Sequence, residues 1–216
     1  MAKFLKYMKW TIRILLVLFV LGFLHYTLPQ HDIVRITNTY NRLTTVGPEN
    51  SWAYSAPDSG TAESTSTRDI RFIDAAFDGG KVIVFRNEDT GWVWPPYFKY
   101  DSSNLQAEAT NLKSSGTEAK WVVVTHYGWR IPLLSIYPNA VAVREATGPD
   151  ETIIPWVNIV VLIFLIFLVI MVRRMWAQFW ERTVEPAAAN VEEAWDSAEA
   201  RATGFWGRIR RMFGGK

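Results

Sequence analysis

Hydrophobic positions are spread unevenly along the chain. From Ile14 to Leu24 the run ILLVLFVLGFL carries no polar side chain, and Ile153 to Val172 is apolar apart from Asn158. A helix rises about 1.5 Å per residue, so roughly 20 apolar residues cross a hydrocarbon core of about 30 Å. The two tracts therefore predict membrane-spanning helices over 12–28 and 153–172. A helix apolar on every side for that length has few places inside a soluble domain. Pro155 falls in the first turn of the second helix, where its missing N–H would have had no intrahelical partner.

Between the tracts the pattern changes to short runs rich in β-branched and aromatic residues, bounded by turn formers. The runs are Asp32–Thr39, Asp69–Phe77, Lys81–Asn87, Lys120–Trp129 and Ser135–Glu145. Asp78, Gly79 and Gly80 join the second and third as a hairpin. After the third, SSNLQAEATNLK spaces Leu105, Ala109 and Leu112 along one helical face, with Ser102 or Ser103 as N-cap. The predicted order is three strands, a helix and two strands. A small OB-like five-stranded barrel with one helix fits it, and so does an antiparallel sheet with one covering helix. The expected fold class is thus a membrane protein with two transmembrane α-helices and a β-rich (α+β) extracytoplasmic domain over 29–152. Within it, 47–68 lacks periodicity and is loaded with Ser, Thr, Gly and Pro, which predicts a flexible loop.

Charge orients these elements. Lys3, Lys6, Lys9 and Arg13 precede the first tract, and Arg173, Arg174 and Arg182 follow the second. Between the tracts, eleven basic side chains face fifteen acidic ones. The positive-inside bias places residues 1–11 and 173–216 in the cytoplasm and the middle segment outside. A cationic start before an apolar run also resembles a cleavable leader, but His25, Tyr26, Thr27, Leu28, Pro29 and Gln30 offer no small-x-small cleavage site, which favours an uncleaved signal anchor. Trp10, Tyr26, Trp156 and Trp176 bracket the two spans as interfacial aromatics.

Composition removes several classes. The 216 residues carry a net charge of only +2, too little for a nucleic-acid surface. There is no cysteine, so disulfides, thiolate metal sites and thiol nucleophiles are excluded. No GxSxG elbow, HExxH helix, phosphate-cradling glycine loop or EF-hand loop is present, and neither a cofactor nor a metal is expected.

The densest polar cluster runs from Asn87 to Gly91, just before Trp92, Trp94, Pro95, Pro96 and Tyr97. Glu88 and Asp89 beside that aromatic platform would suit a cation or a sugar ring. Adjacent residues on extended backbone point to opposite faces, which favours plain turn chemistry instead. His126 is a candidate general base, but a histidine satisfied in or beside the core fits the same pattern. His25 and His31 flank the end of the first span, where an amphipathic ring suits the interface.

In the tail, Val191, Trp195, Ala198, Ala202, Phe205, Ile209 and Met212 recur at helical spacing. Phe205, Trp206 and Ile209 beside Arg208, Arg210 and Arg211 resemble a helix lying on an anionic membrane surface. A helix packed on a partner protein fits equally.

The strings LHYTLPQHDIVRI, DIRFIDA, VFRNEDTGWVWPPYFKYDSSNLQAEA and THYGWRIPLLSIYPNAVAV resemble the bacterial membrane proteins grouped as domain-of-unknown-function family 1523, seen mainly in alphaproteobacteria. The similarity runs from about Leu24 to Val143. It implies an inner-membrane address, which makes the outer domain periplasmic, and it supplies no catalytic residue. The function expected is a non-enzymatic envelope scaffold or accessory subunit. It would bind the bilayer and a membrane or periplasmic protein partner through its β domain and tail. A periplasmic ligand-binding sensor using the loop from Gly47 to Arg68 and the Trp92 to Tyr100 tract is the alternative, with Glu88, Asp89, Trp92, Trp94, Tyr97 and His126 as candidate binding residues, followed by an envelope hydrolase using Glu88, Asp89 or His126. Sequence leaves the oligomeric state open.

Overall fold

The structure, a computed structural model, describes residues 2–55, 67–90, 97–114 and 119–187, together with Asn190, Val191 and Trp195. The chain divides into two units, Met1–Asn158 and Ile159–Lys216.

The first unit opens with helix α1 (Ala2–Thr27). Its apolar window is long enough to cross a membrane and lies exposed along its length. Only two residues separate α1 from β1 (Gln30–Thr45), which is followed by β2 (Thr67–Ala76), β3 (Val82–Asn87), helix α2 (Ser102–Asn111), β4 (Val122–Tyr127) and β5 (Asn139–Glu145). The strands form one sheet in the order β1-β2-β3-β5-β4, and β4 pairs back on β1, so the sheet closes.

The length of β1 makes that closure possible. Gln30 to Val34 pair with β4, whereas Arg35 to Thr45 pair with β2. A register shift between Ile36 and Asn38 bends the strand where it changes partner. β2 and β3 form the expected hairpin. Phe77 N–H donates to Lys81 O at 2.8 Å and Gly80 takes φ +77°, a conformation open to glycine. β3 meets β5 in parallel at Arg86 and Asn139, and a second register shift in β4 lies between Thr125 and His126.

Among the described residues, two apolar clusters fill the interior. Val34, Ile36, Ile73, Phe85, Val122 and Val124 meet Leu105 and Ala109, the buried face of α2. Ala53, Tyr54, Ile70, Phe72 and Ile136 form the other.

Several expectations are corrected. The α2 N-cap is Asp101, not Ser102 or Ser103, for its Oδ1 accepts from Asn104 N–H at 3.1 Å. The last strand starts at Asn139 rather than Ser135, because Pro132–Leu134 form a 3-10 turn and Ser135 adopts left-handed backbone at φ 53°. The fourth runs over Val122–Tyr127, since Gly128 at φ +89° turns the chain out of the ladder. Of the loop 47–68, Ser51–Ala53 form a 3-10 turn, and Asn50, Ala53 and Tyr54 are buried. Residues 56–66 lie outside the described residues.

Helix α3 (Trp156–Phe179) is continuous with a π-helical turn, Trp180–Val184. Its apolar window is long enough to cross a membrane and is also exposed. The tail residues Phe205, Trp206, Arg208, Ile209, Arg210 and Arg211 fall outside the described residues, as do Trp92 and Trp94.

Candidate functional site

Among the described residues, three places gather chemistry-bearing side chains: the turn after β3, the cleft beside His126, and the junction of α1 with the sheet.

In the turn after β3, most polar groups are occupied by one another, although Arg86 Nε is buried without a hydrogen-bond partner. Arg86 is 1% exposed, donates from Nη1 to Glu88 Oε2 at 2.6 Å and lies 4.7 Å over the Tyr54 ring. Asn139 clamps the backbone of Glu88. Its Oδ1 accepts from Glu88 N–H at 3.0 Å, and its Nδ2 donates to Glu88 O and to the Tyr127 hydroxyl. Asp89 Oδ1 accepts from Ser102 N–H at 2.8 Å, which ties the turn to the start of α2. Glu88 and Asp89 therefore point to different partners, one to β3 and the other to α2.

Lys99 sits beneath this turn at 7% exposure. Its Nζ donates to Asn87 Oδ1 at 2.5 Å and to Ala140 O at 2.7 Å. Two acceptors match the two N–H bonds of a neutral amine. Burial lowers the Lys99 pKa from 10.5 to about 7, against the pull of the Asp89 carboxylate, which favours the charged form. Tyr97 stacks on Tyr127 with ring centroids 4.7 Å apart and an interplanar angle of 11°. Burial raises both hydroxyl pKa values.

His126 is buried on β4 with its ring 5.0 Å from Phe85. Its Nε2 lies 3.0 Å from Asp32 Oδ2, a partner that strand pairing places two rungs away, where Asp32 faces Val124. Its Nδ1 is buried without a hydrogen-bond partner. Asp32 and His126 line a cleft of about 740 Å³ with Lys81, Trp129 and Arg130. Neither Glu88 nor Asp89 lines it, so the three carboxylate and imidazole groups considered for hydrolysis are not assembled. Among the described residues, no group of three or more His, Asp or Glu side chains is placed to hold a metal.

The junction is the site that sequence reasoning missed. Gly128 N–H donates to Tyr26 O at 2.9 Å, Trp129 Nε1 to His25 Nδ1 at 2.8 Å, and Gln30 Nε2 to His25 O at 2.8 Å. The Tyr97 hydroxyl donates to Thr27 O. Tyr26 meets Trp129 edge-on at 5.3 Å and also contacts Trp52 and Tyr127. Tyr26 is therefore buried against the sheet and is not a free interfacial aromatic. Beside it, Leu18, Phe19, Gly22, Phe23, Trp52 and Trp129 border an apolar cleft of about 500 Å³. The one advance sign of the junction was the spacing, for the strand run begins at Asp32, just past the apolar tract.

No solved structure matches the chain. An uncharacterized protein of Haemophilus influenzae is 37% identical over 180 residues, which is 82% of this chain and 97% of the relative. The family described as "Protein of unknown function (DUF1523)" matches residues 5–180, which takes in both apolar helices and the whole sheet and stops short of the tail. With most of its length matched in this way, the chain belongs to the DUF1523 family.

Proposed function

We propose that this protein is a non-enzymatic scaffold or accessory subunit of the bacterial inner membrane, which binds partner proteins through its β domain outside the membrane and through its cytoplasmic tail. Both apolar helices cross the bilayer, with the termini inside. The closed sheet, with its helix between the third and fourth strands and its parallel β3–β5 contact, is read as an OB-like barrel. The basic flanks and the exposed apolar windows of α1 and α3 support the membrane reading. The tail residues Phe205 to Arg211 are read as resting on the inner membrane surface.

The observation that carries the scaffold reading is the junction. The hydrogen bonds from Gly128, Trp129 and Tyr97 to the last turn of α1 hold the sheet at a set position on its membrane helix. A domain held in this way presents its surface at a constant height, which suits organising neighbours. Glu88 and Asp89 are spent on contacts inside the fold. Native co-purification from the source bacterium in mild detergent is expected to bring down a stoichiometric partner. A lone chain in every preparation would overturn the proposal. Reporter fusions near Lys120 are expected to report the outside of the membrane.

A ligand-binding module is the second reading, favoured by the two clefts that Trp129 borders.

A further inference from the structure

We propose that the seam between α1 and the closed sheet is a phospholipid site, with one acyl chain lodged against α1, Trp52 and Trp129 and the phosphate held at Lys81 and Arg130. The inference rests on the membrane reading of α1.

The apolar cleft is bordered on one side by Leu18, Phe19 and Phe23, which belong to the span itself. A lipid tail enters it sideways from the bilayer and never crosses water. Gly22 leaves the space open, since a Cβ built there would meet only the Trp129 ring, at 3.9 Å. Trp129 borders the larger cleft beside His126 as well, so the two clefts share that residue. At about 500 and 740 Å³ both lie within the range of small-molecule sites, roughly 300 to 1,000 Å³.

Apolar side chains, Phe77, Val82, Ile83 and Val84 among them, make up much of the lining of the larger cleft, and its titratable groups are Lys81, Arg130, Asp32 and the imidazole of His126. The two cations outnumber the one carboxylate of the cleft, Asp32, whose Oδ2 lies 3.0 Å from His126 Nε2. Arg130 is held in place: its guanidinium lies 4.0 Å over the Tyr137 ring and Nη1 donates to Ile136 O at 2.8 Å. A guanidinium has five N–H donors, so others are left for phosphate oxygens. A purely apolar occupant, such as another protein's membrane helix, would fill the cleft along α1 and leave Lys81 and Arg130 of the other unmatched. A sugar or a free anion would leave the apolar one empty. A phospholipid meets both.

Native mass spectrometry of the full chain released from detergent tests this, after incubation with palmitoyl-oleoyl phosphatidylglycerol, with dioleoylglycerol, or with inorganic phosphate. One phosphatidylglycerol per chain is expected to stay bound. Retention should exceed that of dioleoylglycerol by about tenfold or more, the worth of about 1.4 kcal/mol from charge-assisted contacts. Inorganic phosphate alone should not be retained. Gly22→Leu should lower phosphatidylglycerol retention by about tenfold without loss of circular dichroism, because leucine favours helix over glycine. Lys81→Gln, at an exposed position, should narrow the gap between the two lipids. Absence of bound lipid from the folded wild type, equal retention of both lipids, or undiminished binding by Gly22→Leu would each overturn the proposal. Carbonate washing of membranes tests the membrane reading separately, since a chain released by carbonate removes that reading while the spectrometry still reports on the seam.

Discussion

Raising the pH from 7 to 9 should stabilise the β domain, and Lys99 is the group that makes it so. In the folded chain burial lowers the Lys99 pKa to about 7, whereas the unfolded chain titrates near 10.5. Between those values the unfolded state binds more protons than the folded one, and stability rises with pH under that condition. The whole shift corresponds to about 5 kcal/mol, of which about 2 kcal/mol appears between pH 7 and 9. Above pH 10 the raised tyrosine values of Tyr97 and Tyr127 act in the opposite sense, because the unfolded chain then releases protons that the folded one keeps. The window from 7 to 9 therefore isolates the lysine. Urea unfolding of the full chain in a non-ionic detergent, followed by tryptophan fluorescence, should show the midpoint climbing by about 1 M across it, taking a slope of about 2 kcal/mol per M. In Lys99→Met the climb should vanish. The absolute stability of that variant decides nothing, because removing the amine also strands Asn87 Oδ1 and Ala140 O, at about 1–3 kcal/mol each. An equal climb in both proteins, or a midpoint that falls in the wild type, would refute the reasoning.

Other positions give sharp expectations in the same unfolding assay. Arg86→Met leaves the nearly buried Glu88 carboxylate without its cation and should cost about 3–5 kcal/mol, much of it recovered by adding Glu88→Gln. Tyr97→Phe keeps the stack on Tyr127 but loses the bond to Thr27 O, for about 1 kcal/mol, whereas Tyr97→Ala loses the stack as well and should cost about 3 kcal/mol. Gly128→Ala finds room, its nearest neighbour being Tyr26 Cε2 at 3.6 Å, but the backbone at φ +89° should make it about 1–2 kcal/mol less stable.

The elements most legible in the sequence are those whose cause is local. The hairpin at Asp78 to Gly80 is written in its turn residues, and the face of α2 in the spacing of Leu105 and Ala109, both of which reach the core. The sequence pattern ends β1 at Thr39, whereas the strand continues through Tyr40 to Thr45, a mostly polar and mostly exposed stretch. What keeps that stretch in the sheet is its pairing with Asn41↔Arg71 through Thr45↔Thr67, a partnership no local pattern encodes. The Asp32–His126 contact was hidden for a similar reason, since it joins residues 94 apart through the β1–β4 register. The cap of α2, expected at Ser102 or Ser103, falls to Asp101, while the Ser102 and Ser103 hydroxyls accept instead from Arg71, 31 and 32 residues away along the chain.

That same register explains why the sheet is inseparable from α1. Gln30, the first residue of β1, pairs with His126, which is followed by Tyr127, Gly128 and Trp129. Those residues reach Tyr26 and His25 because only Leu28 and Pro29 intervene between helix and strand. Displacing the sheet from the helix would thus require breaking the β1–β4 pairing or giving up the Gly128, Trp129 and Tyr97 bonds together. Any partner or lipid that engages the seam acts on the sheet and the helix at once, which is the physical basis for placing function at this junction and not at the turn after β3, where the charges already answer one another.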